Sequence, residues 1–224
     1  MKNAQLKKRE FRISKLNNAL KKLFPNAKIA LKYKTNWELL VAVILSAQST
    51  DKQVNKVTEK LFKKYKKFED YLKINIKEFE QDIRSSGFYH TKAKNILATA
   101  KIIKEKHNGE VPNTMQELTE LKGVARKTAN IILGNAFGKV EGIAVDTHVR
   151  RFALKFDLTD SNDPKKIEQD LMKILPKNQW MDFTYIQKDG KKRYEQDYMF
   201  NPEKRVFALY KNEEILSYAS NRVV

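Results

Sequence analysis

The sequence predicts a mainly α-helical fold. Apolar residues recur at helical spacing over most of the chain before residue 180, and several of these stretches begin with an N-cap pattern. The same region contains no convincing strand pattern. About nine such stretches are joined by short loops, and hydrophobic residues make up 41% of the chain, which is enough for a core.

The first helix signal is a set of aliphatic residues at helical spacing: Leu6, Ile13, Leu16, Leu20 and Leu23. Thr35 and Glu38 then form a capping-box sequence, in which each side chain is expected to satisfy the other residue's backbone amide. They open the segment Leu39 to Leu45, which is apolar on every side and is therefore expected at the centre of a helical domain. Thr50 and Gln53 form a second capping box before an amphipathic helix.

Two further sets of apolar residues predict the next two helices: Ile76, Phe79 and Ile83, then Ala93, Ile96, Leu97, Ala100 and Ile103. Asn113 is expected to cap a short helix, and Arg126 to Phe137 reads as a helix of small and β-branched residues. Asp146 and Asp163 stand where N-caps are expected, and Pro164 occupies the first helical position that proline favours.

Beyond residue 180 the pattern changes. Phe183 to Ile186 and Arg193 to Tyr194, with Lys188 to Gly190 between them, predict a hairpin with an Asp-Gly turn. Val206 to Tyr210 and Ile215 to Tyr218 form either a second hairpin or two frayed helices. We favour a small β element in this C-terminal tail.

The chain is strongly basic, with 45 Lys and Arg against 27 Asp and Glu and a formal net charge of +18. Such a surplus calls for an anionic partner, with nucleic acid first and an acidic membrane surface second; a solvated surface in a lysine-rich proteome is the simplest alternative. No apolar run approaches the roughly 18 residues that a membrane span needs. We therefore expect a cytoplasmic protein that does not engage a membrane.

There is no cysteine in the chain, which excludes disulfides, Cys-ligated zinc, iron–sulfur clusters and thiol nucleophiles. Its three histidines, His90, His107 and His148, are widely separated and show no metal-ligand spacing. No metal site is predicted.

Residues 121–129, Leu-Lys-Gly-Val-Ala-Arg-Lys-Thr-Ala, carry the most informative pattern. A short helix ends, Gly123 permits a tight turn, and a new helix begins. The amides of residues 123–125 and of the next helical turn are then expected to point outward. There they can donate hydrogen bonds to a phosphate oxygen, and the helix dipole favours the negative charge of the phosphate. The alternative is an ordinary helix corner. The candidate DNA-binding residues here are Lys122, Gly123, Val124, Ala125, Arg126 and Thr128.

Lys127 and Asp146 are the candidate catalytic residues. Lys127 stands in the first turn of the second helix, where the positive end of the dipole disfavours an ammonium ion and so favours a nucleophilic amine. The alternative to a catalytic role is that Lys127 is an ordinary exposed lysine in a lysine-rich protein. A capping carboxylate at Asp146 stays ionised and fixed in direction, which suits stabilisation of a developing cation. The alternative is that Asp146 only caps the helix.

Five segments together resemble the endonuclease III family of DNA glycosylases, within the helix–hairpin–helix glycosylase superfamily. They are Glu38 to Asp51, Ser86 to Ile96, His107 to Pro112, Leu121 to Leu133 and Ile143 to Arg151, in the family's order and spacing, within a resemblance that runs from about Trp37 to Trp180. The resemblance implies two helical lobes with a cleft between them. Residues 29–139 would form a six-helix barrel, with the helix–hairpin–helix at about 114–137, and residues 1–28 and 140–224 would form the second lobe.

The resemblance also implies roles for single residues. Lys127 falls on the catalytic lysine and Asp146 on the catalytic aspartate. Gln48 falls on the glutamine that enters the gap left by a flipped base, and Phe88 falls where the family has a leucine wedge beside that gap.

The implied activity is base excision repair by a monomeric glycosylase with abasic-site lyase activity. It would remove oxidised pyrimidines from double-stranded DNA, or act at abasic sites, through a lysine Schiff base and β-elimination. His148 and Arg150 would lie near the DNA phosphates, and the protein would be associated with the nucleoid through its DNA.

The chain departs from the family at two points. The family ends with four cysteines that bind a [4Fe–4S] cluster, and this chain has none, so no cofactor is expected and the C-terminal structure is in question rather than catalysis. The basic stretch Lys188 to Arg193 is expected to replace part of the DNA-binding surface. Ala125 replaces the second glycine of the hairpin, and its small side chain predicts that the turn forms there without a positive φ.

Two alternative functions differ in testable ways. An adenine-mismatch glycosylase needs a glutamate in the buried helix, where Val41 to Ile44 contains no acid, and generally lacks the lysine. A non-enzymatic helix–hairpin–helix module needs neither Lys127 nor Asp146 nor Gln48. Borohydride trapping on abasic DNA separates the module from the enzyme, because only an amine nucleophile leaves a covalent complex.

Overall fold

The computed structural model describes residues 2–185, 198–201, 206–211 and 214–220. Within these ranges the chain is mainly helical, as predicted. The helices are α1 (Lys2–Leu23), α2 (Asn36–Leu45), α3 (Asp51–Lys64), α4 (Asp70–Lys73), α5 (Ile76–Ile83), α6 (Tyr89–Lys106), α7 (Met115–Glu120), α8 (Arg126–Phe137), α9 (Thr147–Lys155) and α10 (Pro164–Ile174). Short 3₁₀ turns lie at Arg84–Ser86 and Lys177–Gln179, and residues 180–185 are also helical. The strands are β1 (Tyr198–Asn201), β2 (Val206–Lys211) and β3 (Glu214–Ser220).

The chain divides into two compact units. The central unit consists of residues 30–141 and contains α2 to α8. The terminal unit consists of residues 1–29 and 142–224 and contains α1, α9, α10 and the strands.

Helix α2 lies in the middle of the central unit, as its apolar sequence predicts. It packs against α3, α6 and α8, and its central side chains are completely buried: Leu39, Leu40, Val41, Ala42 and Leu45. Because the helix is enclosed on all sides, the backbone at its C-terminal end is held in place.

The predicted capping residues begin most of the helices, with one change of partner. The hydroxyl of Thr35 accepts the amide of Glu38 at 3.1 Å, and that of Thr50 accepts the amide of Gln53 at 3.2 Å. The carboxylate of Glu38, however, accepts the amide of Lys34 at 2.6 Å, one residue earlier than the capping box predicts.

The expected cap at Asn113 is wrong. Helix α7 begins instead at Thr114, whose hydroxyl accepts the amide of Glu117 at 3.3 Å. The side-chain oxygen of Asn113 accepts a hydrogen bond from Nζ of Lys139 at 2.6 Å. Both residue types cap helices well, and the distant lysine takes the asparagine away from the helix.

In the terminal unit, two buried arginines of α1 hold the C-terminal end of α9. Nη1 of Arg12 donates to the carbonyl oxygens of Phe156 and Asp157 at 3.0 and 2.6 Å. Nη2 of Arg9 pairs with the carboxylates of Asp157 and Asp160 at 3.1 and 2.6 Å. Positive charge at a helix C-terminus interacts favourably with the helix dipole, so these arginines fix the helix that begins directly after Asp146.

The expected hairpin arm at Phe183 is also wrong. Residues 180–185 are helical, and Phe183 is completely buried with its ring centroid 5.8 Å from that of Phe152. Burial of this aromatic ring in the core of the terminal unit outweighs the local β pattern. The expected Asp-Gly turn and the basic stretch Lys188 to Arg193 lie outside the described residues.

Further along the tail, the backbone forms an antiparallel sheet in the order β1-β2-β3. Tyr198 pairs with Leu209, and Ala208 pairs with Tyr218. The second tail segment is thus a pair of strands rather than two helices.

Candidate functional site

The turn between α7 and α8 is built against α6. Gly123 has φ +79°, a backbone conformation that residues other than glycine adopt only with strain. A Cβ atom there would lie 2.9 Å from Nδ2 of Asn95. The carbonyl oxygen of Lys122 accepts a hydrogen bond from Thr99 of α6 at 3.0 Å, which holds the same turn from the other side.

The amides of this turn differ in their availability. The expectation of an outward donor is wrong for Val124, whose amide donates to the carbonyl of Leu121 at 3.2 Å while its side chain is buried. The amides of Gly123 and Ala125 make no hydrogen bond with any residue that the structure describes. Ala125 has φ −90°, so the turn forms without a positive φ there, as predicted. Two donors are thus left at the entrance to α8.

The start of α8 is exposed and basic. Arg126 is its first residue and Lys127 its second, and both are exposed, as is Lys122 in the preceding turn. Thr128 is half-buried. The side chain of Lys127 has no hydrogen bond or ion pair with the described residues. It is therefore available to an incoming group, and the cations around it favour an anion.

Asp146 has one oxygen engaged and one open. Its Oδ1 accepts the amides of His148 and Val149 at 2.8 and 2.9 Å, which caps α9 as predicted. Its Oδ2 has no hydrogen-bond partner among the described residues, and the side chain is half-buried. A capping role and an electrostatic role are therefore compatible in one carboxylate.

The other two candidates on α9 differ in exposure. His148 is half-buried, whereas Arg150 is exposed and donates from Nη2 to Oδ1 of Asn162 at 3.1 Å. That bond links the Arg150 side chain to the residue just before the Asp163 cap of α10.

Gln48 and Phe88 share an uncommon backbone conformation. Gln48 has φ +52° and Phe88 has φ +50°, and both side chains are exposed, Phe88 by 66%. A left-handed backbone costs energy for residues other than glycine and concentrates at functional sites. Sequence analysis assigned both residues to the site only through the family resemblance. Their left-handed backbones are a structural observation that does not depend on that resemblance.

The buried cation Lys92 binds the backbone shortly before each of these two residues. Nζ of Lys92 donates to the carbonyl oxygens of Leu45 at 2.8 Å and Ser86 at 2.7 Å, and the residue is only 4% exposed. Burial lowers the pKa of Lys92 to about 8. Sequence reasoning gave it no role because a lysine on a helix is ordinarily exposed; the available signal was its position inside the segment Ser86 to Ile96.

The structure distributes the candidates over both units. Gln48, Phe88, the turn at residues 122–125 and Lys127 belong to the central unit. Asp146, His148 and Arg150 belong to the terminal unit.

The residues of this chain do not fit an iron–sulfur cluster. Such clusters are held by cysteine thiolates, and the chain has no cysteine. The described residues also contain no group of three His, Asp or Glu side chains arranged to hold a metal ion. None of the helices in the described ranges is long and apolar enough to cross a membrane.

Known proteins are similar to this chain in sequence and in fold. Residues 41–177 match the family model of the HhH-GPD superfamily of base excision DNA repair proteins. Endonuclease III of Synechocystis is 49% identical over 165 residues, which are 74% of this chain and 75% of that protein. Two solved structures, a non-covalent endonuclease III–DNA complex and a trapped endonuclease III–DNA covalent intermediate, each match with a TM-score of 0.76 at 43% identity. The matches cover 80% of this chain and 83% and 84% of those chains.

Proposed function

Because this chain belongs to the HhH-GPD superfamily of base excision DNA repair proteins, we propose that it is a DNA glycosylase with abasic-site lyase activity. Its substrate is double-stranded DNA that contains an oxidised pyrimidine or an abasic site, and it acts as a monomer at the nucleoid in the cytoplasm. The observation that carries the proposal is the exposed Lys127, whose side chain has no partner among the described residues, in the helical turn next to two amides that the same residues also leave unpaired.

DNA binding depends first on phosphate contacts. The amides of Gly123 and Ala125 donate to phosphate oxygens, and the nearby Lys122 and Arg126 neutralise their charge. These contacts hold the duplex without reading its sequence. The net charge of +18 supplies the long-range attraction.

Extrusion of the damaged nucleotide leaves a gap in the duplex, which Gln48 and Phe88 fill. Both side chains are exposed, and their backbones are already held in a left-handed conformation. The cost of that conformation has therefore been met before DNA arrives, which lowers the ordering cost of insertion. Extrusion makes the sugar and base accessible to catalytic groups.

The chemical step begins with Lys127 in its neutral form. Its amine attacks C1′ of the extruded nucleotide, the C1′–N bond breaks, and the base leaves with the bonding electrons and takes up a proton. The carboxylate of Asp146 stabilises the oxocarbenium-like charge that develops on the sugar. The amine then loses a proton, the C1′–O4′ bond breaks and O4′ takes up a proton, which opens the sugar ring and leaves a protonated Schiff base at C1′. The Schiff base acidifies the C2′ proton, and loss of that proton expels the 3′ phosphate by β-elimination. Water then hydrolyses the Schiff base and frees Lys127.

We propose that this reaction proceeds without an iron–sulfur cluster in this chain. No step above passes through a metal or a cluster. In the described residues, the arginine contacts of Arg9 and Arg12 and the burial of Phe183 hold the terminal unit together.

The decisive experiment offers the purified protein duplexes with an oxidised pyrimidine, a uracil mismatch, an abasic site or no lesion. We expect strand cleavage at abasic sites, a borohydride-trapped covalent complex, and base release from at least one pyrimidine lesion. DNA binding without any trapped complex would favour the non-enzymatic module. Adenine release from a mismatch without a trapped complex would favour the adenine-mismatch enzyme, which the acid-free segment Val41 to Ile44 argues against.

A further inference from the structure

The contacts of Lys92 join two separate segments of the central unit. Leu45 is the last residue of α2, and its carbonyl oxygen lies three residues before Gln48. Ser86 ends the 3₁₀ turn, and its carbonyl oxygen lies two residues before Phe88. One ammonium group therefore binds the backbone immediately ahead of both left-handed, exposed residues.

The bonding groups suit each other. The carbonyls at the end of a helix lack intrahelical partners and carry partial negative charge, so a cation binds them well. Leu45 and Ser86 are themselves buried, at 0% and 2% exposure, so these oxygens are shielded from bulk water. The bonds at 2.7 and 2.8 Å have the short length of charge-assisted hydrogen bonds.

Burying a lysine is costly, and packing alone would not require one. The ammonium loses its hydration, and desolvation is the cause that lowers the pKa of Lys92. Helix α6 presents apolar residues such as Ala93 and Ile96 on the same buried side. The presence of a lysine among these apolar residues is explained by its hydrogen bonds to the two carbonyl oxygens, since packing of the core does not require it.

We propose that Lys92 is a positioning residue for insertion into damaged DNA. It holds the turn that carries Gln48 and the turn that carries Phe88 at a fixed separation, so that both side chains enter the gap together. The inference rests on the proposed function. Lys92 is buried and acts through these two residues without touching the DNA.

The test replaces Lys92 by methionine, which preserves side-chain length and removes the donor. Insertion is read from the fluorescence of 2-aminopurine beside a stable abasic analogue, together with the affinities for that duplex and for an undamaged one. We expect preference for the abasic duplex to fall roughly tenfold, as two charge-assisted hydrogen bonds are lost. Affinity for undamaged DNA should change no more than in Lys101→Met, which removes an exposed charge from the same helix.

Two comparisons separate positioning from stability. Ile96→Val trims a fully buried residue of the same helix and should leave the preference for abasic DNA intact despite a lower melting temperature. Phe88→Ala removes the side chain that Lys92 positions. In that background, Lys92→Met should cause less further loss than in the wild type, because the two residues act through one contact with DNA.

The outcomes are distinct. If the wild type traps on abasic DNA and Lys92→Met keeps its full preference for the abasic duplex, or if its effect adds fully to that of Phe88→Ala, the inference is overturned and the proposed function stands. If the wild type forms no trapped complex, the proposed function fails and the inference fails with it. Should Lys92→Met not fold, Lys92→Gln is neutral, retains a donor for one carbonyl, and passes through the same comparisons.

Discussion

Gly123 and Asn95 approach so closely that a Cβ atom at Gly123 would lie 2.9 Å from the Asn95 side-chain nitrogen. The backbone of Gly123 also has φ +79°. An alanine at this position must therefore bear a left-handed conformation, at a cost of about 1–2 kcal/mol, and displace Asn95 as well. We expect Gly123→Ala to lower the free energy of unfolding by more than the conformational cost alone and to weaken binding to undamaged DNA.

The matched control is Gly138→Ala. Gly138 has φ +64°, but apart from its two chain neighbours no described residue places an atom within 4 Å of the position its Cβ would take. Urea unfolding should show a smaller loss there, and DNA affinity should not change. Equal losses at Gly123 and Gly138 would mean that contact with Asn95 does not constrain the turn.

Replacing Lys127 by glutamine should abolish strand cleavage and borohydride trapping. No other amine is proposed to attack C1′, whereas one charge among 45 basic residues contributes little to affinity. DNA binding should therefore fall only slightly, by about as much as in Lys101→Gln, which changes an exposed lysine of α6. Gel-resolved trapping and equilibrium binding on the same abasic duplex measure both quantities. Full trapping by Lys127→Gln would remove this residue from the mechanism.

Asp146→Asn separates the capping role from the electrostatic one. Asparagine caps helices as well as aspartate does, so the melting temperature should change little. The charge is lost, and the single-turnover rate of base release should fall by about 10²-fold or more. Asp146→Ser, which also caps, should behave in the same way. An unchanged rate in either variant would leave Asp146 with a structural role alone.

The unfolding free energy should depend on pH through Lys92. Burial lowers its pKa to about 8 from the ordinary 10.5, so between these values the unfolded chain binds more protons than the folded one. Relative to Lys92→Met, the wild type should gain stability as the pH rises through this window, by at most about 1.4 kcal/mol per pH unit. Well below pH 8 the difference should be constant, since Lys92 is then protonated in both states.

Urea unfolding of the wild type and Lys92→Met at pH 7, 8, 9 and 10 measures this difference. Common effects of high pH on other lysines and tyrosines cancel in the comparison. A difference that stays flat or falls above pH 8 would contradict a desolvated ammonium at this position.

Phe183→Ala should destabilise the terminal unit by about 3–5 kcal/mol, the usual cost of deleting a fully buried phenylalanine. Phe183 is 0% exposed and its ring contacts that of Phe152. Phe11→Ala is the control in the same unit, because Phe11 is 62% exposed and should cost little. A chain that ends at Trp180 should melt lower than one that ends at Tyr185, which retains Phe183. Equal melting temperatures would show that Phe183 does not stabilise the unit.

Local patterns predicted most helix positions well. The range Arg126 to Phe137 agrees with α8 at both ends. Thr35, Thr50, Asp146 and Asp163 all cap as expected. A capping side chain binds an amide two or three residues away, so the neighbouring sequence is enough to predict it. The four-residue helix α4 was missed because so short a segment has no apolar repeat to detect.

Distant contacts decided the remaining features. Asn113 binds a lysine 26 residues away instead of capping the helix. Phe183 lies in a helix, buried beside Phe152, instead of in the predicted strand. The sequence placed Gln48, Phe88 and Lys127 in the site through their motifs, but it did not show which amides of the turn were already paired. The structure shows that the turn pairs the amide of Val124 with the carbonyl of Leu121 and buries the Val124 side chain.

Sequence alone predicted the helical class and the family and proposed the residues for the chemistry, because these follow from short-range spacing and from motifs. Only the tertiary structure decided that Gly123 lies against Asn95, that Oδ2 of Asp146 has no hydrogen-bond partner among the described residues, and that Lys92 bonds two carbonyls. The physical reason is the same in each case. A hydrogen bond or close contact between residues far apart in the chain depends on the packing of whole helices, which no local spacing specifies.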